Sequence, residues 1–218
     1  LKGPWAHRGE WMYKTRFHGK SLPPKELYQT LMTFGMNIGR LHCQPFPDDF
    51  YDAADEAGFL LIAETAVSHR PATQASLDHA VEFVRHLRNH PSIVIWSGSN
   101  EFEHWISPRP QATMDFLVNM QELIHENDPS RRPVQHSGFG DANGKLDLVN
   151  IHYPAEGAGI PTRLYWTRNP QQLLQRNYKH NITTFNPIGK KPILYGEELI
   201  PGLKDTSLHY GEPALRDF

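Results

Sequence analysis

The sequence predicts an α/β fold in which short strands alternate with amphipathic helices around a parallel sheet. Apolar runs of about four to seven residues recur along the chain. Most are followed by a stretch whose apolar residues recur at three- and four-residue steps, the period of a helix packed on one face. This alternation is typical of βα units, whose strands lie parallel.

Seven candidate strands can be placed in chain order. They are predicted at 11–17, 36–42, 59–64, 92–97, 133–136, 146–152 and 192–196. The run 92–97 is rich in β-branched residues, which favours a buried strand. We expect Gly98 and its serine neighbours to turn the chain after this strand, and Trp96 to lie partly under a site there.

The helices between these strands have recognisable ends. Pro23 and Pro24 precede a helical stretch that Gly35 can end in a left-handed conformation. The residues "DD" open the stretch 48–57 and suit the positive end of a helix dipole, and Gly58 closes it. Two further helices are predicted from apolar stripes, formed by Leu77, Ala80, Val81, Val84 and Leu87, and by Met114, Leu117, Met120 and Ile124.

Seven strands fit either an open doubly wound sheet or most of an eight-stranded barrel. Several strands end in polar clusters: "GRLH", "AET", "SGSNE", "QHS", "IHYP" and "GEE". A barrel gathers the carboxyl ends of all its strands at one site, whereas an open sheet gathers those near one switch point. We therefore predict a (β/α)8 TIM barrel as one domain over residues 1–218, incomplete because no eighth strand is visible.

Composition and charge exclude some classes of function. The formal net charge is −2, with 22 basic and 24 acidic residues, so nucleic acid is not an expected partner. No run approaches the ~20 apolar residues of a membrane span, and no membrane partner is expected. Cys43 is the single cysteine. We expect a fragment of a longer protein whose export route, to the periplasm or the exterior, is left open.

Two carboxylates follow apolar runs nearly a hundred residues apart in the chain. Glu101 and Glu197 would both stand at the mouth of a barrel. A pair of carboxylates in a sugar-sized cleft is the equipment for glycoside hydrolysis, one protonated by burial and the other ionised. A nearby cation such as Arg40 would keep the second carboxylate ionised.

Four motifs, in this order, resemble one enzyme family. The segments "MNIGRLHCQPFPDDFYDAADEAGFLLIAE", "RNHPSIVIWSGSNE", "DPSRRPVQHSG" and "KPILYGEE" are similar to the barrel domain of family 2 glycoside hydrolases, which include β-galactosidases, β-glucuronidases and β-mannosidases. The resemblance covers about residues 34–198. It implies a retaining exo-β-glycosidase that acts on oligosaccharides or polysaccharide-derived glycosides through a covalent glycosyl-enzyme.

The resemblance also implies roles for single residues. Glu101 would be the general acid/base, and Asn100 would bind the sugar 2-hydroxyl. Glu197, rather than its neighbour Glu198, would be the nucleophile, and Tyr153 would hydrogen-bond it. Arg40 matches an arginine near the nucleophile. The candidate substrate-binding residues are completed by His42, His136, His152, Trp105 and Trp166.

Metal dependence, oligomeric state and the sugar are less constrained by the sequence. We expect no metal and no cofactor. Some β-galactosidases of the family carry an acidic residue and a histidine as magnesium ligands just after the third strand, whereas this chain has Ser68 and His69 near that place. A homo-oligomer is left open. Among sugars we expect a β-galactoside, with a β-mannoside or β-glucuronide as the alternative. A carbohydrate-binding barrel without catalysis and a metal-dependent hydrolase are the competing classes of function.

Overall fold

The structure is a computed structural model, and it describes residues 5–6, 16–17, 20–68, 72–102, 111–142, 144–152 and 191–197. The strands in these residues are Trp5–Ala6 (β1), Arg16–Phe17 (β2), Lys20–Ser21 (β3), Ile38–Leu41 (β4), Leu60–Glu64 (β5), Ile93–Asn100 (β6), Val134–Ser137 (β7), Val149–His152 (β8) and Ile193–Glu197 (β9). The helices are Pro24–Thr33 (α1), Asp48–Ala57 (α2), Gln74–Leu87 (α3) and Gln111–Asn127 (α4). None of these described helices has the length and hydrophobicity needed to cross a bilayer.

The order of the strands favours the barrel over the open sheet. Five strands form a parallel sheet in the order β1, β4, β5, β6, β7, and β8 pairs in parallel with β9. In the five-stranded sheet the order follows the chain without reversal, whereas a doubly wound sheet reverses at its switch point. The predicted α/β barrel architecture is confirmed.

The side chain of Asn150 joins the two parallel sheets. Its Oδ1 accepts a hydrogen bond from the Gly138 backbone at 2.7 Å, and its Nδ2 donates to Gln135 Oε1 at 2.6 Å. The backbones of Gly140 and Asn150 also exchange two hydrogen bonds. Strand β8 is thereby attached to the residues that follow β7.

The first sheet strand differs from the prediction at 11–17. Trp5–Ala6 pairs in parallel with β4, while Arg16–Phe17 pairs antiparallel with Lys20–Ser21. A strand of two residues is too short to show alternation, so the sequence pattern could not locate it.

Helix ends and apolar stripes follow the prediction, except that Val81 of the predicted stripe is only half-buried. Gly58 ends α2 with φ of 70°, and Gly35 follows α1 with φ of 75°. Helix α3 begins after Thr73, whose Oγ1 accepts from the backbone of Ser76 at 3.2 Å. The buried stripe residues of α3 and α4 are Leu77, Ala80, Val84, Leu87, Met114, Leu117, Met120 and Ile124. They form the core layer between the sheet and the helices.

Trp96 lies in this helix-facing layer and not under the site, so that expectation was wrong. Its ring packs edge-on against Phe83 of α3 at 5.8 Å, and the guanidinium of Arg132 lies 5.6 Å from the ring centre. The indole Nε1 donates to Asp128 at 2.9 Å. The largest side chain of β6 therefore anchors the strand to the helices.

Candidate active site

The carboxyl ends of β4, β5 and β6 bring four buried polar side chains together. Arg40 lies in β4, His42 directly after it, Glu64 at the end of β5 and Asn100 at the end of β6. Each side chain is buried, although all four are polar or charged. Buried polar groups of this kind persist when they satisfy one another. We call these four residues the mouth cluster.

An extra residue in β6 turns Asn100 towards the mouth cluster. The pairing of β6 with β7 skips Gly98. Because side chains alternate along a strand, Asn100 would otherwise face the same side as Trp96. The extra residue places Asn100 on the side of Ser97 instead, and the side chains of both residues hydrogen-bond within the mouth cluster.

Glu64 is the centre of the mouth cluster. Its Oε1 accepts from the backbone N–H of Cys43 at 2.7 Å, and its Oε2 accepts from Ser97 Oγ at 2.6 Å. Arg40 Nε lies 3.5 Å from Oε2. Burial raises the pKa of the Glu64 carboxyl, but the charge of Arg40, with His42 and Ser97, lowers it to about 2. Glu64 is therefore ionised at neutral pH.

Arg40 connects Glu64 to Asn100. Its Nη2 donates to Asn100 Oδ1 at 3.1 Å and lies 2.5 Å from Nδ1 of His42. The same Nδ1 lies 3.2 Å from Oε1 of Glu64. Because one ring nitrogen either accepts or donates, Nδ1 accepts from Arg40 in one tautomer and donates to Glu64 when it carries the proton. Because the guanidinium can only donate, the atom of the Asn100 amide that faces Arg40 is the oxygen Oδ1. The amide nitrogen Nδ2 then faces Ser68, 3.5 Å from its Oγ.

Glu101 makes the turn that we expected at Gly98. Strand β6 continues through Asn100, and Glu101 then adopts a left-handed backbone with φ of 43°. Its N–H donates to the carbonyl of Ser137 at 2.8 Å. A left-handed conformation costs a non-glycine residue about 1–2 kcal/mol, and strain of this kind is concentrated at functional sites. The side chain is half-buried.

His136 does not face the mouth cluster, which corrects its assignment as a substrate-binding residue. The ring is fully buried, with Nδ1 3.0 Å from Ser99 Oγ. A Cβ atom built on Gly98 would be 2.5 Å from the His136 ring and 3.0 Å from Sδ of Met120 in α4. The ring is thus held between the sheet and α4. Burial lowers the pKa of His136 to about 4.

The remaining candidates are described in part or lie outside the described residues. Glu197 ends β9, and its backbone pairs in register with His152 at the end of β8. Both positions are at the carboxyl ends of parallel strands, as predicted. The other candidates, Tyr153, Trp105 and Trp166, lie outside the described residues.

Three possible metal ligands lie within the site. Donor atoms of His42, Cys43 and Glu64 all lie within 4.8 Å of one another. The guanidinium of Arg40 lies among the same groups, 2.5 Å from Nδ1 of His42 and 3.5 Å from Oε2 of Glu64. A positive charge therefore already faces these donors, and a metal ion would have to displace or oppose it.

Glu64 and Ser97 are the site residues that sequence reasoning missed. Glu64 ends a strand in the motif "AET", so the rule that selected Glu101 also applied to it. Ser97 was predicted as the last residue of the strand 92–97, without a role in the site. Ser97 of β6 pairs in register with Glu64 of β5, and its hydroxyl donates to the Glu64 carboxylate. The periodicity of a single strand cannot reveal such a contact between two strands.

Comparison with known proteins assigns a family to this geometry. A family model described as "Glycosyl hydrolases family 2, TIM barrel domain" matches residues 14–198. The chain belongs to glycosyl hydrolase family 2. Its described barrel strands from β4 to β9, and every residue of the mouth cluster, lie within the matched range.

Relatives in this family carry two activities in their names. β-Mannosidase B of Thermothelomyces thermophilus is 47% identical over 121 residues, which cover 52% of this chain and 14% of the relative. The β-glucuronidase of Canis lupus familiaris is 24% identical over 197 residues, covering 85% of this chain and 29% of the relative. The chain therefore spans less than a third of either protein.

The fold of a family 2 barrel is found again among solved structures. A β-D-glucuronidase of Dictyoglomus thermophilum aligns with a TM-score of 0.58 and 19% identity, over 90% of this chain and 35% of that one. At this identity the likeness concerns the fold. The expectation of a β-galactoside finds no support among these relatives, whose names fit a β-mannoside or a β-glucuronide.

Proposed function

We propose that this chain is the catalytic barrel of a retaining exo-β-glycosidase, with Glu101 as general acid/base and Glu197 as nucleophile. The observation that carries the proposal is positional. Glu101 directly follows β6 and Glu197 ends β9, so both stand at carboxyl ends of parallel strands. In barrel enzymes the reaction takes place at that face. The mouth cluster supplies buried polar groups beside Glu101.

In the proposed mechanism each carboxylate has a separate task. Glu197 attacks the anomeric carbon while Glu101 protonates the departing oxygen, which leaves a covalent glycosyl-enzyme. Glu101 then takes a proton from the water that releases the sugar, and the configuration at the anomeric carbon is retained. Arg40 and Asn100, already fixed by their mutual hydrogen bond, offer donors to the bound sugar.

The proposed substrate is a terminal β-mannoside, with a β-glucuronide as the second candidate. The mannosidase relative is 47% identical over the part it shares with this chain, and this favours the mannoside. The glucuronidase relative aligns with 85% of this chain at lower identity, and this keeps the glucuronide in consideration.

The proposal is tested with the full-length protein that contains this chain. We expect it to hydrolyse 4-nitrophenyl β-D-mannopyranoside or the corresponding β-glucuronide, and more slowly, if at all, the β-galactoside. Proton NMR of the first product formed should show the β-anomer. If the α-anomer formed first, the enzyme would be inverting and not retaining. If the protein were inactive on all three glycosides, the proposed glycosidase function would be wrong.

Two adjacent glutamates give a matched test of the nucleophile. Glu197→Gln should lower kcat by several orders of magnitude, since the double displacement loses its covalent step, whereas Glu198→Gln should retain turnover. A 2-deoxy-2-fluoro glycoside should label the wild-type protein at Glu197, as read by peptide mass spectrometry. If Glu197→Gln kept both turnover and sugar binding, a carbohydrate-binding barrel or another nucleophile would be the better description.

A further inference from the structure

Glu64 has the surroundings of a group that organises a site without touching its substrate. It is fully buried at the end of β5. Both carboxylate oxygens are engaged by protein donors, Oε1 by the backbone of Cys43 and Oε2 by Ser97. A carboxylate so engaged, and ionised at neutral pH, is unsuited to exchange protons with a substrate.

The position of Glu64 determines the direction of Arg40. The Nε edge of the guanidinium lies 3.5 Å from Glu64 Oε2, and Nη2 donates to Asn100 Oδ1 at 3.1 Å. Because the guanidinium is planar and rigid, an ion pair at Nε also restricts where the Nη donors point. Glu64 also compensates the charge of Arg40, which is only 3% exposed. An uncompensated cation at this depth would turn towards another anion.

Arg40 in turn determines the orientation of the Asn100 amide. With Oδ1 held by the guanidinium, Nδ2 is the donor that remains, and it lies 3.5 Å from Ser68 Oγ. The flipped amide would place two N–H groups against the donors of Arg40, which is repulsive. The amide orientation of Asn100 therefore depends on Arg40, and the position of Arg40 depends on Glu64.

We propose that Glu64 is a positioning residue of the glycosidase site, which holds Arg40 so that Arg40 presents Nδ2 of Asn100 to the 2-hydroxyl group of the bound sugar. This inference rests on the proposed function. It assigns a role in hydroxyl recognition to a residue that contacts neither the sugar nor the reacting atoms.

The test compares a glycoside with its analogue that lacks the 2-hydroxyl, in the full-length protein. The probes are 4-nitrophenyl β-D-mannopyranoside and its 2-deoxy analogue, or the glucuronide pair if the wild type prefers it. The readout is the ratio of kcat/KM for the two substrates. We expect Glu64→Gln to lower this ratio about tenfold or more, the size of one lost hydrogen bond to a positioned donor.

Two comparisons separate positioning from loss of stability. Asn100→Ala should lower the ratio as Glu64→Gln does, and the double variant should add little to either, because all three changes remove one interaction. Asp128→Asn is the matched control, since Asp128 is equally buried and hydrogen-bonded but lies beside Trp96 in the helix-facing layer. It should lower stability and leave the ratio unchanged.

Milder variants keep the test decisive if Glu64→Gln does not fold. Ser97→Ala removes the 2.6 Å hydrogen bond to Oε2 and keeps the charge, and it should lower the ratio by a smaller factor. Glu64→Asp should restore part of the ratio. A wild-type ratio in every folded variant of Glu64 and Ser97 would overturn the positioning role alone, as would a reduced ratio in Asp128→Asn. A wild type inactive on all glycosides would overturn the proposed function and this inference together.

Discussion

Gly98 of β6 lies so close to His136 of β7 that a Cβ atom at residue 98 would be 2.5 Å from Cε1 of the ring. The same atom would be 3.0 Å from Sδ of Met120. Gly98 is also the extra residue that turns Asn100 towards the mouth cluster. A close approach and a change of strand alternation therefore occur at one position.

Gly98→Ala should destabilise the fold by about 1–3 kcal/mol, because neither the buried ring nor helix α4 can move without disturbing the core. Chemical denaturation of the full-length protein measures the change. In a His136→Ala background the cost of the same substitution should be smaller, since the ring is gone. An unchanged denaturation midpoint for Gly98→Ala would contradict the close packing.

His136 should make stability sensitive to mild acid. Burial lowers the pKa of its ring from 6.5 to about 4, so the unfolded chain binds a proton between these values and the folded chain does not. The free energy of unfolding therefore decreases as the pH falls from 6.5 to 4, by up to about 3 kcal/mol for this group. Glu64, with a pKa lowered to about 2, contributes a further loss only below pH 4.5.

Denaturation curves between pH 7 and pH 4 test this window. Replacing His136 by Asn removes the titrating ring, so the loss of stability over this range should be smaller than in the wild type. The other twelve histidines remain in both proteins, and the difference between the two curves isolates His136. Parallel curves for the two proteins would mean that the ring titrates alike in the folded and unfolded chains.

The sequence was sufficient for most elements of the fold and for the edge on which the site lies. Strand runs, helix stripes and polar strand ends are local patterns, and they predicted β4 to β9 closely. The expectation that Trp96 lies under the site was wrong for a physical reason. Alternation along β6 is interrupted at Gly98, and the interruption depends on pairing with β7, which is a contact between distant parts of the chain.

Local sequence patterns also could not show that Glu64 is the centre of the mouth cluster. Glu64 and Glu101 both end apolar strands, and nothing in the sequence near either residue separates a buried anchor from a half-buried acid. The difference comes from Arg40 and Ser97, which reach Glu64 from the two neighbouring strands. Strand-end carboxylates can thus be found from sequence, but their roles depend on partners across the sheet.

At residue 101 we expect the glycine variant to be more stable than the alanine variant, the reverse of the usual order. Its φ of 43° is left-handed, a conformation that glycine adopts freely and alanine at a cost of about 1–2 kcal/mol. Glu101→Gly should therefore be more stable than Glu101→Ala by about 1 kcal/mol, as measured by chemical denaturation. Both variants should lose turnover, because both lack the proposed acid/base.

Val94 provides the matched comparison within the same strand. It is half-buried in β6 and does not have a positive φ, so Val94→Ala should be more stable than Val94→Gly, by about 0.5–1 kcal/mol. The opposite order at residues 94 and 101 would show that Glu101 is held in a conformation its side chain does not favour. If alanine were the more stable replacement at both positions, the left-handed turn would carry no strain, and the link between backbone strain and the proposed acid would be lost.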